Sequence, residues 1–283
     1  MPELPEVETI RLGLQKHLVG QTIEKVDVRL KKMVTGDVAH IVGSKIVSVE
    51  RFGKGLVISL DNDYAIAIHI RMTGQLIYRD AVIEKSFHPS LKIGGEIPNK
   101  FTHVIFTLKG KKDAMLYYND IRQFGWMKII KRGDLKTVPF FKELGPEHLK
   151  DLTEELLSTI VHSAKGPIKP LLMDQKKIGG IGNIYANDAL FQAKIDPRRK
   201  ANSLTDVEIA HLFEAIEFVL KKSLSYGGAS EVNFVNALGE DGGYQHHFLV
   251  YARENEPCLV CHTLIIKIRK AGRGTFYCPT CQI

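Results

Sequence analysis

Long apolar runs are missing from this chain. None approaches the ~18 residues that a membrane-spanning helix needs, and the opening MPELPEVET has no apolar stretch of the secretory-signal kind. A cytoplasmic protein with no membrane partner is therefore expected. Cysteine is scarce as well. There are 4, none before position 258, which excludes a disulfide framework spread along the chain, and a reducing interior disfavours one in any case. Internal repeats and low-complexity tracts are absent, which removes solenoid and low-complexity architectures. Acidic residues are missing from one stretch: none occurs from position 257 onward, whereas Lys267, Arg269, Lys270 and Arg273 are basic.

What is present is the profile of an ordinary globular chain. Its 283 residues suggest roughly two domains. Apolar residues make up 44% and charged residues 25%, enough for a full core without staples. Lys and Arg number 39 against 32 Asp and Glu, a net charge of +7 that favours an anionic partner only modestly. No feature signals an oligomer interface, so a monomer is expected.

The apolar spacing changes along the chain. Val7, Ile10, Leu14 and Leu18 recur at helical intervals. Pro5 suits the first turn of that helix, and Glu6 and Glu8 suit its positive end. From about 22 to 130, segments such as 56–60, 64–70, 75–78, 103–108, 115–118 and 126–130 are strand-like and separated by turn residues. They predict an antiparallel sandwich or barrel of about six to eight strands. After Gly133, Pro139, Gly145 and Pro146 the pattern turns helical. Thr153 can cap a helix through Leu157 and Val161, Asn183 opens a later one, and Thr205 with Glu208 forms a capping box ahead of Ile209, Leu212 and Ile216. Residues 229–247 are polar, glycine-containing and without periodicity, which predicts a mobile loop.

Two motifs carry chemistry. Cys258-x-x-Cys261 and Cys278-x-x-Cys281 flank residues 262–277, a spacing that fits one tetrahedral structural zinc ion on the turns of a β-hairpin. Four free thiols or a redox pair are the other readings. With four protein ligands no position is left for water, so the ion would be structural. On the hairpin, Lys267 and Arg269 read equally well as a solvated face. Arg273, between small neighbours, suits phosphate, whose oxygens match its planar fork. In the second motif, Gly179-Gly180-Ile181-Gly182-Asn183, a glycine turn delivers the chain onto a helix start, where N–H groups and dipole favour an anion. Asn183 can cap that helix and offer its amide to a phosphate. Lys165, Lys169, Lys176 and Lys177 lie just upstream. Alone, the turn is only a turn. Together with the basic hairpin it suggests two clamps on one nucleic-acid backbone.

Met-Pro-Glu-Leu-Pro-Glu-Val-Glu-Thr at 1–9, the run Gly180-Ile-Gly-Asn-Ile-Tyr185 followed by Ala189-Leu-Phe191, and the four-cysteine tail together closely resemble the formamidopyrimidine-DNA glycosylases, in the right order over nearly the whole chain. The resemblance implies an α+β multidomain fold with an N-terminal antiparallel β-sandwich, a helix-two-turn-helix domain and a C-terminal β-hairpin zinc finger, with DNA in the cleft between the halves. On this basis the expected partition is 1–132 for the N-terminal helix and sandwich, 133–150 for a linker, 151–252 for the helical domain and 253–283 for the zinc finger. It also implies base-excision repair: removal of oxidised purines (8-oxoguanine and formamidopyrimidines) from double-stranded DNA, then cleavage of the abasic strand by β- and δ-elimination.

The chemistry suits the residues that match. A lyase of this kind needs an amine to attack C1′ of the deoxyribose. A lysine amine is about 99.9% protonated at pH 7, whereas an α-amine is ~10% free, and a helix start behind Pro2 lowers its pKa further. A proline nitrogen can form only a permanently cationic iminium, an electron sink that needs no further proton. Removal of Met1 is required, and taken alone Pro2 would be no more than a rigid start to the chain. By the match, Glu3 is the general acid–base, Glu6 orients the site or a water, and Lys54 in Arg51-Phe-Gly-Lys-Gly55 binds the phosphate flanking the lesion, with Arg273 as its phosphate-binding partner. Met72, Arg122 and Phe124 would fill the gap left by the extruded base, with Arg122 bonding the orphaned cytosine. His103, Lys165 and Asn183 are further DNA contacts, and the loop at 229–247 would cover the extruded base.

Three positions depart from the family pattern: Phe101 where histidine is usual, Asp188 where glutamate precedes Ala-Leu-Phe, and Ala252 where glycine is common. Asp188 is one methylene shorter, which puts a bridging role for that carboxylate in doubt. The rival activities are an endonuclease VIII-like glycosylase for oxidised pyrimidines, disfavoured by Leu4 where that branch commonly has glycine, and an inactive lesion-binding protein, disfavoured by the intact Pro2, Glu3 and Lys54. A transcriptional zinc-ribbon module would leave the N-terminal motif unexplained.

Overall fold

The computed structural model describes residues 1–86 and 90–283. They divide into two compact units, one of residues 1–142 with 226–245, the other of residues 143–225 with 246–283.

The first unit opens with helix α1 (Leu4–Leu18), whose buried face carries Val7, Ile10, Leu14 and Leu18 as the spacing predicts. Nine strands follow: β1 (Thr22–Val28), β2 (Val34–Thr35), β3 (Ile46–Phe52), β4 (Gly55–Leu60), β5 (Tyr64–His69), β6 (Gly74–Arg79), β7 (Thr102–Lys109), β8 (Met115–Asp120) and β9 (Trp126–Lys131). They form two sheets, in the orders β1-β7-β8-β6 and β2-β9-β5-β4-β3. Pairing is antiparallel except for the two-residue β2–β9 contact, which is parallel. Apolar side chains from both sheets and from α1 share one core, including Ile23, Ile58, Ile68, Leu76, Tyr118 and Met127.

Two segments belong to this unit that the sequence assigned elsewhere. Helix α2 (Pro139–Lys142) lies inside the expected linker, yet Phe140 stacks edge-on against His69 at 4.6 Å and Phe141 against Phe52 at 5.8 Å. The expected mobile loop is docked. Ala237 and Phe234 are in the core, the Ala237 carbonyl accepts from Tyr78 N–H at 2.8 Å, and Gln75 Nε2 donates to the Asn233 carbonyl at 2.9 Å. Its lack of periodicity reflects an irregular backbone whose polar groups are satisfied by bonds to the sheet.

The second unit contains α3 (Glu154–Ser163), α4 (Ile168–Met173), α5 (Asn183–Gln192) and α6 (Asp206–Ser225), then the hairpin β10 (Ile266–Lys270) and β11 (Arg273–Tyr277). Two of the three predicted caps form. Thr153 Oγ1 accepts from Leu156 N–H at 3.2 Å, and Thr205 and Glu208 make the reciprocal box at 2.8 and 3.3 Å. The cap of α5 differs from expectation: Gly182 is the N-cap and Asn183 the first helical residue. Among the described residues no helix is long and apolar enough to cross a membrane.

Candidate active site and nucleic-acid interface

The N-terminal motif folds into a helix start. Glu3 is the N-cap of α1, and its N–H donates to Glu6 Oε2 at 2.8 Å. Glu6 Oε1 accepts from Ala229 N–H, also at 2.8 Å, so this buried carboxylate ties the docked segment 226–245 to the head of α1. Glu6 thus sits as an anchor for two backbone segments. Pro2 and Glu3 are buried immediately ahead of the positive end of the helix. Glu8, expected to compensate the dipole, instead pairs with Arg51 at 2.9 Å and Arg11 at 2.8 Å.

Lys54 occupies the two-residue turn Gly53-Lys54 between β3 and β4, where Gly53 takes φ +57°. A turn lysine is ordinarily exposed, but Lys54 is only 3% exposed. His69, at the end of β5, was not singled out from sequence as a site residue. Its Nδ1 accepts from Arg71 N–H at 3.0 Å, which places the ring proton on Nε2. Burial, with Arg71 and Lys54 nearby, pushes its pKa down to about 3, so the ring is a neutral donor at physiological pH.

Met72 is half-buried in the turn after β5, and Arg122 and Phe124 stand on the loop after β8. Phe124 is 54% exposed and the Arg122 guanidinium lies over its ring at 4.6 Å, so neither is a core residue. Arg122 N–H donates to Thr73 Oγ1 at 3.0 Å, joining the two loops. His103 does not reach outward. It is buried, with Nε2 on the Asp120 carbonyl at 2.8 Å. Phe101 is half-buried beneath Lys100, whose Nζ lies 5.1 Å from its ring.

In the second unit, Asn183 Oδ1 accepts from Lys169 Nζ at 2.8 Å. Lysine has no acceptor, so this bond fixes the amide with Nδ2 turned away from Lys169. Lys169 is itself 1% exposed and also donates to the Gly274 carbonyl at 2.7 Å and Thr275 Oγ1 at 2.8 Å. One buried ammonium therefore joins the start of α5 to strand β11, a role invisible in sequence, where Lys169 was one of several basic residues. Lys165 is exposed before α4, and Arg273 is exposed at the head of β11, opposite Lys270 across the hairpin turn.

The four cysteine sulfurs lie within 4.8 Å of one another, with Cys258–Cys281 at 3.9 Å and Cys261–Cys278 at 3.4 Å. Zn–S bonds of about 2.3 Å in a tetrahedron require S···S near 3.8 Å. The set fits one structural zinc ion held by Cys258, Cys261, Cys278 and Cys281.

The shorter Asp188 keeps a bridging role. Fully buried, it accepts from the N–H groups of Leu249, Val250 and Tyr251, each at 3.1 Å. Asp188→Asn would set an amide NH2 against one of these donors. It is expected to destabilise this unit by about 2 kcal/mol, read as a lower urea midpoint, and an unchanged midpoint would contradict this account. Ala252 takes φ +57°, a conformation that glycine adopts without strain.

Residues 1–127 match the model of the formamidopyrimidine-DNA glycosylase N-terminal domain, 144–234 that of its H2TH domain, and 255–283 a zinc finger found in FPG and IleRS. A curated formamidopyrimidine-DNA glycosylase of Pelotomaculum thermopropionicum is 40% identical over 288 aligned positions, covering 100% of this chain and 99% of that one. The crystal structure of the MutM (Fpg) protein of Thermus thermophilus superposes with a TM-score of 0.86 at 34% identity, covering 99% and 98% of the two chains. A Lactococcus lactis Fpg mutant in complex with DNA containing Fapy-dG gives 0.86 at 32% identity, covering 99% of each. The chain belongs to the formamidopyrimidine-DNA glycosylase family.

Proposed function

We propose that this protein removes oxidised purines from double-stranded DNA and cleaves the resulting abasic strand, acting inside the cell as a monomer. The observation that carries the reading is the head of α1, where Pro2 and Glu3 are buried and Glu6 anchors the backbone around them.

With Met1 attached, the Pro2 nitrogen is an amide and cannot attack. Once Met1 is removed it is a secondary amine at the positive end of a helix dipole, with more of the free base than a lysine would offer. It bonds to C1′, the damaged base departs with a proton, and the sugar ring opens as Glu3 protonates the ring oxygen. The iminium cannot lose its charge by deprotonation at nitrogen. It therefore acidifies C2′, whose proton passes to the Glu3 carboxylate left by ring opening as the 3′-phosphate departs, and a second elimination expels the 5′-phosphate. Lys54 and the neutral His69 supply donors to backbone phosphate in the first unit, and Asn183 Nδ2, Lys165 and Arg273 do so in the second. Met72, Arg122 and Phe124 occupy the gap left by the extruded base.

A side-by-side cleavage assay on duplexes carrying 8-oxoguanine or thymine glycol tests the reading. Faster cleavage of 8-oxoguanine is expected, together with a borohydride-trapped adduct on an abasic duplex. Preference for thymine glycol would move the protein to the pyrimidine branch, and absence of the adduct from protein with Pro2 verified at its terminus would remove the mechanism.

A further inference from the structure

Asp120, the last residue of β8, is fully buried, and each of its polar groups holds the loop that follows or the strand beside it. Its N–H donates to the Phe101 carbonyl at 3.0 Å, and its own carbonyl takes the His103 Nε2 proton at 2.8 Å. Oδ1 accepts from the Thr73 hydroxyl at 2.5 Å and from Arg122 N–H at 3.2 Å. Oδ2 accepts from Gly125 N–H at 2.8 Å and from the Tyr118 hydroxyl at 3.4 Å. The loop 121–124 is thus pinned at both ends by one carboxylate. Between the pins the chain reverses at Gln123, φ +56°. At the second pin only glycine fits, because a Cβ on Gly125 would lie 1.8 Å from the Tyr118 oxygen.

The outer surface of this loop is the opposite in character. Phe124 is 54% exposed and stacks with Arg122 alone among the described ring contacts. An exposed aromatic on a loop with a buried, fully bonded base is already ordered before it meets a partner, so little conformational freedom remains to be lost on insertion. Thr73 extends the lock. Its hydroxyl donates to Asp120 and accepts from Arg122 N–H at 3.0 Å, and it follows Met72 directly in the chain. The turn bearing Met72 and the loop bearing Arg122 and Phe124 are therefore set against each other by one hydroxyl and one carboxylate.

We infer that Asp120 is a positioning residue which, with Thr73, holds Met72, Arg122 and Phe124 in the arrangement that replaces an extruded base and reads the base left opposite. The inference rests on the proposed function, since it assumes that these three side chains enter the duplex. Asp120 touches neither the reacting sugar nor the lesion. It acts through the loop, and what it governs is extrusion and opposite-base choice.

The test compares Asp120→Asn, Thr73→Val and Thr73→Ser with the wild type in single turnover, on 8-oxoguanine opposite C, 8-oxoguanine opposite A, and a preformed abasic duplex. Asparagine keeps the shape of Asp120 but turns one acceptor into a donor facing donors. Base excision opposite C is expected to fall roughly 30-fold, because the wedge is no longer pre-set. Cleavage of the abasic duplex, where no base has to be extruded, should fall less than about threefold, and the preference for C over A should narrow by roughly tenfold. Thr73→Val should shift the same ratios in the same direction by a smaller amount, and Thr73→Ser, which keeps the hydroxyl, should match the wild type. Equal loss in all three reactions, accompanied by a lowered melting temperature, would reduce Asp120 to scaffold and overturn the inference. Unchanged excision and unchanged opposite-base preference in Asp120→Asn would also overturn it. If Asp120→Asn fails to fold, the Thr73 pair decides: valine indistinguishable from serine overturns the inference. A wild-type protein inactive on both lesion duplexes would instead remove the proposed function, and that result is separable from all of these.

Discussion

Protein that retains Met1, or whose Pro2 nitrogen has been acetylated, is expected to lose base excision and abasic-strand cleavage together, by on the order of 10³-fold or more. Both reactions run through one bond from this nitrogen to C1′, and an amide nitrogen has no lone pair to offer. The buried site around it should survive, because the Glu6 carboxylate is held by the N–H groups of Glu3 and Ala229 and not by the terminal charge. Binding to an uncleavable abasic analogue should accordingly change far less than the rate. Pro2→Gly makes a sharper comparison. It keeps an α-amine, so a borohydride-trapped adduct should still form. Its imine can shed the nitrogen proton and lose the electron sink, so elimination should slow relative to adduct formation. Intact mass identifies the fraction that begins at Pro2, and the rate should scale with that fraction. Full activity in protein shown to carry Met1 quantitatively would place the nucleophile elsewhere.

Much of this site was legible because its parts are local in sequence. The face of α1, the Thr153 cap, the box of Thr205 and Glu208, and the paired cysteine knuckles are each written within a few residues, where periodicity and side-chain-to-backbone bonds dominate. The rest depends on contacts that span the chain. Segment 226–245 has no period because it makes no regular element. Its order comes from Tyr78, Gln75 and Glu6, which lie more than a hundred residues earlier. Phe140 and Phe141 sat in a linker by composition, yet they pack on His69 and Phe52. Lys54 and Lys169 are lysines whose type predicts exposure, and both are buried. His103, expected as a DNA contact, is turned inward to the Asp120 carbonyl, so its effect on any partner passes through the loop of Arg122 and Phe124. For segment 226–245, the two phenylalanines, Lys169 and His103, the direction of the side chain was set by a partner too distant for a local pattern to register.

Removing zinc is expected to lower DNA affinity by roughly 100-fold or more, through more than the loss of the Arg273 contact. A two-stranded hairpin is marginal by itself in water, and β10–β11 is closed at its base by the four cysteines. The second knuckle also fastens the tail. Cys278 N–H donates to Gln282 Oε1 at 2.9 Å, and Gln282 Nε2 donates to the Ile195 carbonyl at 2.8 Å. Once the hairpin loosens, Lys169 loses the Gly274 carbonyl and Thr275 Oγ1 as acceptors. A buried ammonium stripped of part of its hydrogen bonding is disfavoured, so the lysine should shift toward water and loosen its hold on Asn183 Oδ1. The amide at the start of α5 would then be free to turn, and a second phosphate contact would weaken with the first. Lys169→Met separates the two effects. It leaves the cysteines intact and should cost about tenfold in affinity with zinc still bound. Anisotropy titrations of an abasic duplex against zinc-loaded, chelated and reloaded protein, with zinc content measured in each, test the chain of contacts. Recovery on reloading is expected, and chelation should add little to Lys169→Met beyond the Arg273 share. Unchanged affinity in metal-free protein would mean that the hairpin holds its shape without the ion and that Lys169 is anchored by the fold alone.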